Sequence, residues 1–240
     1  MHKSFVKFLK CPLSKEDLEL TIIEENNDEI ITGKLINKSK NINYEIINGI
    51  PRFVSPNNYS KSFGMQWKKW SRVQFDRDNV GKPMENYTSK MLNRITEFDK
   101  ENLKDKKILE IGCGSGRFLD VLSDKNCFLF GIDNSASIDE TKKNLDFMDK
   151  KKILLLQCDT YNLPFQNNLF DHIFSIGVLH HTPKPESIIA KIYDLIKNKG
   201  SFSLSVYNKN SYYDLPNVNF WRKFFNFLSP VFSFYPAMIY

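Results

Sequence analysis

The chain has 240 residues, 41% of them hydrophobic, with 34 Lys and Arg against 28 Asp and Glu and a net charge of +6. This hydrophobic content excludes a disordered chain, and at roughly 150 residues per domain the length allows one sizeable domain with an additional segment. Only 6 of the 34 basic residues are Arg. Because specific recognition of bases and phosphates favours the planar fork of Arg, this balance argues against nucleic acid as the partner.

The four cysteines, Cys11, Cys113, Cys127 and Cys158, contain no Cys-x-x-Cys pair. This spacing indicates neither a disulfide framework nor an intact zinc ribbon, and it fits a reducing compartment. Lysines interrupt the apolar residues at the N-terminus, and no apolar run is long enough to span a membrane. We therefore predict a cytoplasmic protein without a membrane span.

The chain divides into stretches of different texture. Residues 1–55 hold short β-like runs at 18–23 and 44–47 and close on Gly49-Ile-Pro-Arg-Phe, which predicts a small β-rich appendage. In residues 56–105, apolar positions recur at 91, 92, 95 and 98, a helical spacing that predicts a helix over 87–102. We interpret 56–105 as a helical lead-in or lid ahead of the main domain.

From residue 106 the pattern alternates. Apolar runs at 107–111, 128–132, 153–157, 170–176 and 201–206 are separated by helical segments at 118–125, 136–150 and 187–197. This is typical of βαβ units, so we predict an α/β domain over 106–207 with a parallel sheet and ligands at the carboxyl ends of its strands. The aromatic residues of 208–240 predict a partly helical segment, and that segment offers a surface for a homodimer.

A glycine loop follows the first of these runs. The segment Ile108-Leu-Glu-Ile-Gly-Cys-Gly-Ser-Gly-Arg-Phe leads from a buried strand through Gly112, Gly114 and Gly116 into a helix. Glycines are needed where the backbone turns sharply and approaches a ligand. Arg117 stands where the dinucleotide fingerprint would place its third glycine, which argues against a nicotinamide or flavin dinucleotide.

Carboxylates follow the next two strands. Asp133 lies 17 residues after Gly116 and can accept both hydroxyls of a ribose, through charge-assisted bonds worth roughly 1.5 to 3 kcal/mol each. Asp159 ends the third strand and can accept from the exocyclic amine of adenine. Glu110, on the first strand, can face a cationic amino group or order the loop. Together these side chains predict a nucleoside-like ligand.

At this point residues 107–207 resemble class I S-adenosylmethionine-dependent methyltransferases, in the small-molecule, type 11-like branch. Further matches are Leu163-Pro-Phe, the stretch from Phe170 to His181 and the Lys197-Asn-Lys-Gly-Ser-Phe turn before the fifth strand. The resemblance implies a Rossmann-like parallel sheet with flanking helices, S-adenosylmethionine as cofactor, S-adenosylhomocysteine as product and no metal. It also implies these cofactor-binding residues: Glu110, Gly112, Gly114, Gly116, Asp133, Asn134, Asp159, Thr160 and Ile176.

The residues after the fourth strand indicate which kind of molecule accepts the methyl group. Relatives that methylate bases and amides at nitrogen carry Asn/Asp-Pro-Pro-Tyr/Phe there, whereas this chain reads Ser175-Ile-Gly-Val-Leu-His-His-Thr-Pro. The resemblance therefore favours methyl transfer to a hydroxyl of a small molecule. His180 or His181 could act as the general base, or the pair could only shape the cleft. An RNA methyltransferase and a non-catalytic cofactor-binding or partner module stay open as alternatives.

Two further resemblances concern the N-terminal part. Residues 59–70 are similar to an "FG-x-QW" lead-in, so Phe63, Gln66 and Trp67 could close the cleft or meet the acceptor, or only pack as a helix. Residues 1–55 resemble small zinc-ribbon-like domains that read Cys-Pro-x-Cys and end in Gly-Ile-Pro. Ser14 stands where the second cysteine belongs, so a metal-free remnant with a structural or partner-contact role is expected.

The C-terminal part departs from the family pattern. Sheets of this family end with two further strands, the last antiparallel, and nothing in residues 208–240 resembles that hairpin. Either the aromatic segment replaces it or the chain is truncated, and the final Ala-Met-Ile-Tyr favours truncation.

Overall fold

The computed structural model describes residues 1–54 and 71–207. The nine strands are β1 (Glu19–Asn26), β2 (Glu29–Asn37), β3 (Ile42–Ile47), β4 (Ile50–Phe53), β5 (Lys107–Ile111), β6 (Phe128–Asp133), β7 (Ile153–Cys158), β8 (Phe170–Ile176) and β9 (Ile196–Ser205). The α-helices are α1 (Tyr87–Thr96), α2 (Arg117–Leu122), α3 (Ser137–Asn144) and α4 (Pro185–Leu195). Short 3-10 helices lie at Lys3–Phe8, Asp76–Asp78, Phe98–Lys100 and Leu179–His181.

All nine strands belong to one sheet, in the order β1-β2-β3-β4-β7-β6-β5-β8-β9. The strands β5 to β9 pair in parallel, whereas β1 to β4 form an antiparallel meander, a set of strands joined one to the next. The predicted α/β class, a Rossmann-like parallel sheet with flanking helices, is confirmed. The predicted runs at 107–111, 153–157 and 170–176 match strands almost to the residue, because strands buried on both faces read as continuous apolar runs.

The last strand of the meander pairs with the parallel sheet. Arg52 lies opposite Gln157 and Phe53 opposite Cys158, in parallel. The Arg52 guanidinium also donates to both carboxylate oxygens of Asp139 on α3, at 2.6 and 3.1 Å. On the other side of the sheet, Phe5 packs edge-on against Phe130 of β6, with ring centroids 5.5 Å apart. The N-terminal residues and the parallel sheet therefore share one hydrophobic core.

A cluster of polar side chains occupies the end of the meander where the zinc-ribbon resemblance would place ligands. Asn37 donates to Ser14 Oγ at 2.8 Å and to Glu16 Oε2 at 2.9 Å, and Ser39 also donates to Glu16. Hydrogen bonds from these three side chains lower the pKa of Glu16 to about 2. Cys11 Sγ lies 3.4 Å from Tyr44 Oη. Within residues 1–54 and 71–207, no three His, Cys, Asp or Glu side chains are grouped to hold a metal. The metal-free character of the segment stays a prediction.

Three predicted element boundaries are wrong. The helix predicted over 87–102 ends at Thr96, because Glu97 adopts a left-handed conformation with φ of 57°. The helix predicted over 136–150 ends at Asn144, whose side chain turns back to bond the Ser115 carbonyl at 3.0 Å. The predicted turn at 197–202 lies inside β9, which begins at Ile196 and bulges so that six of its residues span only three of β8.

Several predictions concern residues outside the described ranges. They are the lead-in residues Phe63, Gln66 and Trp67, and the aromatic segment 208–240 with its proposed dimer surface and its missing hairpin. No helix among the described residues has both the length and the apolar character needed to cross a membrane.

Candidate functional site

The glycine loop between β5 and α2 has a backbone conformation that only glycine adopts without strain. Gly112, Gly114 and Gly116 have φ of +79°, +56° and +90°. A Cβ on Gly112 would lie 2.5 Å from the methyl carbons of Val178, and one on Gly116 would lie 2.7 Å from Thr141 Cγ2. The loop therefore lies tightly against the chain that follows β8 and against α3, and larger residues would push it out of place.

Asp133, at the end of β6, ties the loop to the next strand. Its Oδ2 accepts the Gly114 amide at 2.9 Å, and its Oδ1 accepts the amide and hydroxyl of Ser135 at 2.8 and 2.7 Å. Thr141 donates its hydroxyl to the Gly114 carbonyl at 2.7 Å. A carboxylate offers about four acceptor positions, so the half-buried Asp133 keeps capacity for a further donor.

The end of β7 adds a second carboxylate beside Asp133. Asp159 is half-buried and accepts the Tyr161 amide through Oδ1 at 2.9 Å. The neighbouring Thr160 is buried, and its hydroxyl has no hydrogen-bond partner among the residues that the structure describes. On β7 itself, Gln157 donates to the Asn134 carbonyl at 3.0 Å and so joins the β6 and β7 ends. Buried polar atoms are normally paired, and the orphaned Thr160 hydroxyl is therefore a sign of a ligand position.

Glu110 and Arg117 lie on either side of the loop. Glu110 is only 2% exposed, and burial raises the pKa of its carboxyl well above the usual range, while the Arg117 charge opposes that rise. Burial likewise lowers the pKa of Arg117. Glu110 Oε2 and Arg117 Nη1 are both buried without a hydrogen-bond partner in residues 1–54 and 71–207. Both side chains therefore leave polar atoms unsatisfied next to the glycine loop.

The end of β8 carries a cluster of rings. After Ile176 and Gly177, the 3-10 helix Leu179–His181 places the His180 ring 4.0 Å from that of His181 and 4.4 Å from that of Tyr207. Burial, with a smaller effect of His181, lowers the pKa of His180 to about 4. His180 is therefore neutral near pH 7 and a weak proton acceptor there, since a general base works best with a pKa near the operating pH. A base role for His180 or His181 stays a prediction.

The described residues of the predicted site come together along one edge of the sheet. Glu110, the glycines, Asp133, Asn134, Asp159, Thr160 and Ile176 all follow or end β5, β6, β7 and β8, which are adjacent strands. In open parallel sheets, ligands bind at this edge, where strand order reverses between β5 and β8. Sequence reasoning did not assign Arg117 or Tyr207 to the site. For Arg117 the only available signal was its place directly after the last glycine.

The chain is similar in sequence to several known proteins. Residues 109–204 match the family model described as "Methyltransferase domain". The human protein named "Probable tRNA methyltransferase 9B" is 32% identical over 109 residues, which make up 45% of this chain and 22% of that protein. The ubiquinone biosynthesis O-methyltransferase of Pseudomonas entomophila is 25% identical over 142 residues, which make up 57% of this chain and 58% of that enzyme.

A crystal structure of an S-adenosylmethionine-dependent methyltransferase from Aquifex aeolicus aligns with a TM-score of 0.45 at 18% identity. The alignment covers 59% of this chain and 71% of that one. The chain spans about a fifth of the length of the human relative and 58% of the Pseudomonas enzyme.

Proposed function

Because the chain contains a domain of the class I S-adenosylmethionine-dependent methyltransferase family, we propose that it transfers a methyl group from this cofactor to an acceptor bound at the carboxyl edge of the sheet. The observation that carries the proposal is the glycine loop tied to Asp133, with the unsatisfied Glu110 Oε2 beside it. When bound, S-adenosylmethionine supplies an electrophilic methyl group on a sulfonium and is released as S-adenosylhomocysteine.

The residues at this edge fit such a cofactor. Asp133 has acceptor capacity left for the ribose hydroxyls, and Asp159 can accept from the adenine amine at the end of the adjacent strand. Glu110 can accept from the ammonium of the methionine part, since its Oε2 is buried and unpaired. Gly112, Gly114 and Gly116 let the backbone approach that part closely. In this proposal Asn134, Thr160 and Ile176 complete the cofactor contacts.

The protein's task in such a reaction is to align the acceptor and exclude water, because the cofactor carries the reactive group. The neutral, half-buried His180 packs at a tilt against His181 and Tyr207 and lines the end of β8 next to the proposed cofactor position. A neutral imidazole there can accept a hydrogen bond from an acceptor hydroxyl without adding charge. His181, which is exposed, is the better candidate for a base that exchanges protons with solvent.

We propose a small molecule as the acceptor, methylated at a hydroxyl. The absence of the N-methylation motif after β8 supports this choice, and so does the similarity to the ubiquinone biosynthesis O-methyltransferase. The ring cluster of His180, His181 and Tyr207 suits a flat organic acceptor. With this substrate class we propose a cytoplasmic location.

RNA is the second candidate acceptor. It is favoured by the similarity to the tRNA methyltransferase relative, which has the higher identity of the two curated relatives described above. The two candidates differ in salt dependence, because RNA binding through several phosphates weakens steeply as salt rises. An RNA mobility shift that disappears between low and high salt would favour this candidate over the small molecule.

The proposed activity is tested first by cofactor binding. Calorimetry with S-adenosylhomocysteine should give a dissociation constant on the order of micromolar for the full chain. Asp133→Ala should weaken binding by about 10- to 100-fold, the loss expected for charge-assisted bonds. Asp99→Ala, at an exposed carboxylate that precedes β5 and is not one of the strand-end residues, is the matched control and should leave binding unchanged. No binding by the unaltered protein would sink the proposed activity.

A further inference from the structure

Arg117 is a partly buried cation whose Nη1 is buried and is not satisfied by its environment. Its Nη2 lies 3.8 Å from Met91 Sδ of α1, and its guanidinium carbon lies 4.2 Å from the centre of the Phe118 ring. Neither contact supplies a hydrogen-bond acceptor of the strength that a guanidinium prefers. Nη1 has no hydrogen-bond partner at all among the described residues. The side chain is therefore placed for an acceptor that these residues do not provide.

The charged and titratable groups that face Arg117 do not supply that acceptor. Its electrostatic neighbours are Glu110, Tyr87, Tyr207 and Asp76. The two carboxylate oxygens of Asp76 already accept the amides of residues 88 and 89 at the start of α1, at 2.9 and 2.8 Å. Both tyrosines offer a phenol oxygen rather than a carboxylate. Glu110 is the one remaining carboxyl group among these neighbours.

Glu110 and Arg117 sense each other's charge without bonding to each other. Each shifts the pKa of the other toward its charged form. Nevertheless Glu110 Oε2 and Arg117 Nη1 both stay unpaired. A buried carboxylate and a buried guanidinium would normally close into a bidentate pair, because leaving either one unpaired is costly. The unpaired carboxyl and guanidinium groups suit a ligand that carries one positively charged and one negatively charged group.

An α-amino acid presents those charges on neighbouring atoms, as an ammonium and a carboxylate. We propose that Arg117 binds the α-carboxylate of the methionine part of the cofactor, while Glu110 faces its ammonium. This assignment rests on the proposed methyltransferase function and adds a binding residue to it. Arg117 then determines specificity among nucleoside ligands, because it binds those whose amino-acid part carries a carboxylate more tightly than those without one.

Binding of two nucleosides to the full chain tests the assignment. The probes are S-adenosylhomocysteine and S-adenosyl-3-thiopropylamine, which keeps the amine but has hydrogen in place of the carboxylate. For Arg117→Gln we expect calorimetry to show affinity for S-adenosylhomocysteine reduced by about 10- to 100-fold, and affinity for the thiopropylamine nearly unchanged. Arg117→Lys should restore part of the loss, since Lys keeps the charge but not the planar fork. The exposed Arg94→Gln is the matched control and should behave as the unaltered protein.

Each other outcome has a defined meaning. Equal weakening of both nucleosides by Arg117→Gln would show a structural role for the side chain and overturn the assignment. If Arg117→Gln weakened the binding of neither nucleoside, the assignment would also be overturned. The carboxylate that pairs with Arg117 would then have to come from an anionic acceptor. If the unaltered protein bound neither nucleoside, the proposed methyltransferase function itself would fail, and the assignment with it. Retained thiopropylamine binding by Arg117→Gln shows at the same time that the variant is folded.

Discussion

Two polar regions of the molecule are built in opposite ways. In the cluster of Ser14, Glu16, Asn37 and Ser39, the side chains satisfy one another. Around the glycine loop, Glu110 Oε2, Arg117 Nη1 and the Thr160 hydroxyl are buried without partners among the described residues. Since unsatisfied buried polar atoms destabilise a fold, the second region is the one that gains most from a ligand. In the first region the polar groups already pair with one another.

The largest expected effect comes from substituting a glycine of the loop. Gly112→Ala would place a methyl group 2.5 Å from Val178 at a φ of +79°. We expect the free energy of unfolding to fall by about 2 to 4 kcal/mol and binding of S-adenosylhomocysteine to be lost. Equilibrium urea unfolding and calorimetry measure the two quantities.

Gly81→Ala is the control for that substitution, because Gly81 has a φ of +71° but nothing within 4 Å of the added methyl group. It should cost about 1 to 2 kcal/mol, from the left-handed backbone alone, and leave binding intact. If the two variants behaved alike, backbone strain alone would explain the effect, and the close packing of the loop would not matter.

A smaller effect, on stability alone, is expected for the junction between the meander and the parallel sheet. Arg52 is 13% exposed and bonds Asp139 twice and Gln157 once. Arg52→Ala should lower the free energy of unfolding by about 1.5 to 3 kcal/mol, with no change in cofactor affinity. Lys38→Ala removes an exposed ion pair to Glu19 and should change stability by about 0.5 kcal/mol or less. A loss of affinity in Arg52→Ala would show that the meander contributes to the site directly.

His180 should show a pH effect near the site. Its pKa is about 4 in the folded chain, against an ordinary value of 6.5, because burial disfavours the charged ring. The folded state thus binds fewer protons, so the stability that depends on a neutral His180 is complete above about pH 6.5 and declines toward pH 4. The difference in unfolding free energy between the unaltered protein and His180→Phe should change across this window. An NMR titration midpoint for the His180 ring near 6.5 would contradict this prediction.

The smallest effect is expected at Glu16, which is exposed. Its pKa of about 2 lies below its ordinary value of 4.5, so its contribution to stability is present above pH 4.5 and is lost as the pH falls through 2. The melting temperature of the unaltered protein should therefore exceed that of Glu16→Gln by a constant amount from pH 7 to pH 5, and by less below pH 4.5. Asn37→Ala should move the Glu16 pKa upward. A difference that stays constant down to pH 3 would mean that the hydrogen bonds do not favour the ionised form.

The sequence predicts most of the site because its signals are local. The three glycines, Asp133 and Asp159 each follow an apolar run directly, and parallel strands bring their carboxyl ends to one edge. The unpaired state of Glu110 and Arg117 could not be predicted, because it depends on what every neighbouring element fails to supply. From the sequence alone, an arginine in the first turn of a helix is expected to be exposed to solvent.

In the fold too, features set by local sequence can be predicted and features set by distant residues cannot. Buried strands such as β5 and β8 are apolar throughout and are visible in the sequence, whereas the ends of α1 and α3 depend on single residues, namely the left-handed Glu97 and the side chain of Asn144. The pairing of β4 with β7 joins residues about 105 positions apart. No local pattern specifies which edge of a sheet a distant strand will join, so the sequence does not predict this pairing.

The pairing of β4 with β7 also determines which parts of the chain can fold first. The strands β1 to β3 pair only with neighbours in sequence and can form as soon as they leave the ribosome, because short loops close at little entropic cost. β4 must wait until β7 has been synthesised, about 100 residues later. Until then its outer edge offers unpaired amides and carbonyls to any other strand. Nascent chains that stop before Ile153 should accordingly be more prone to aggregation than chains that extend beyond Cys158.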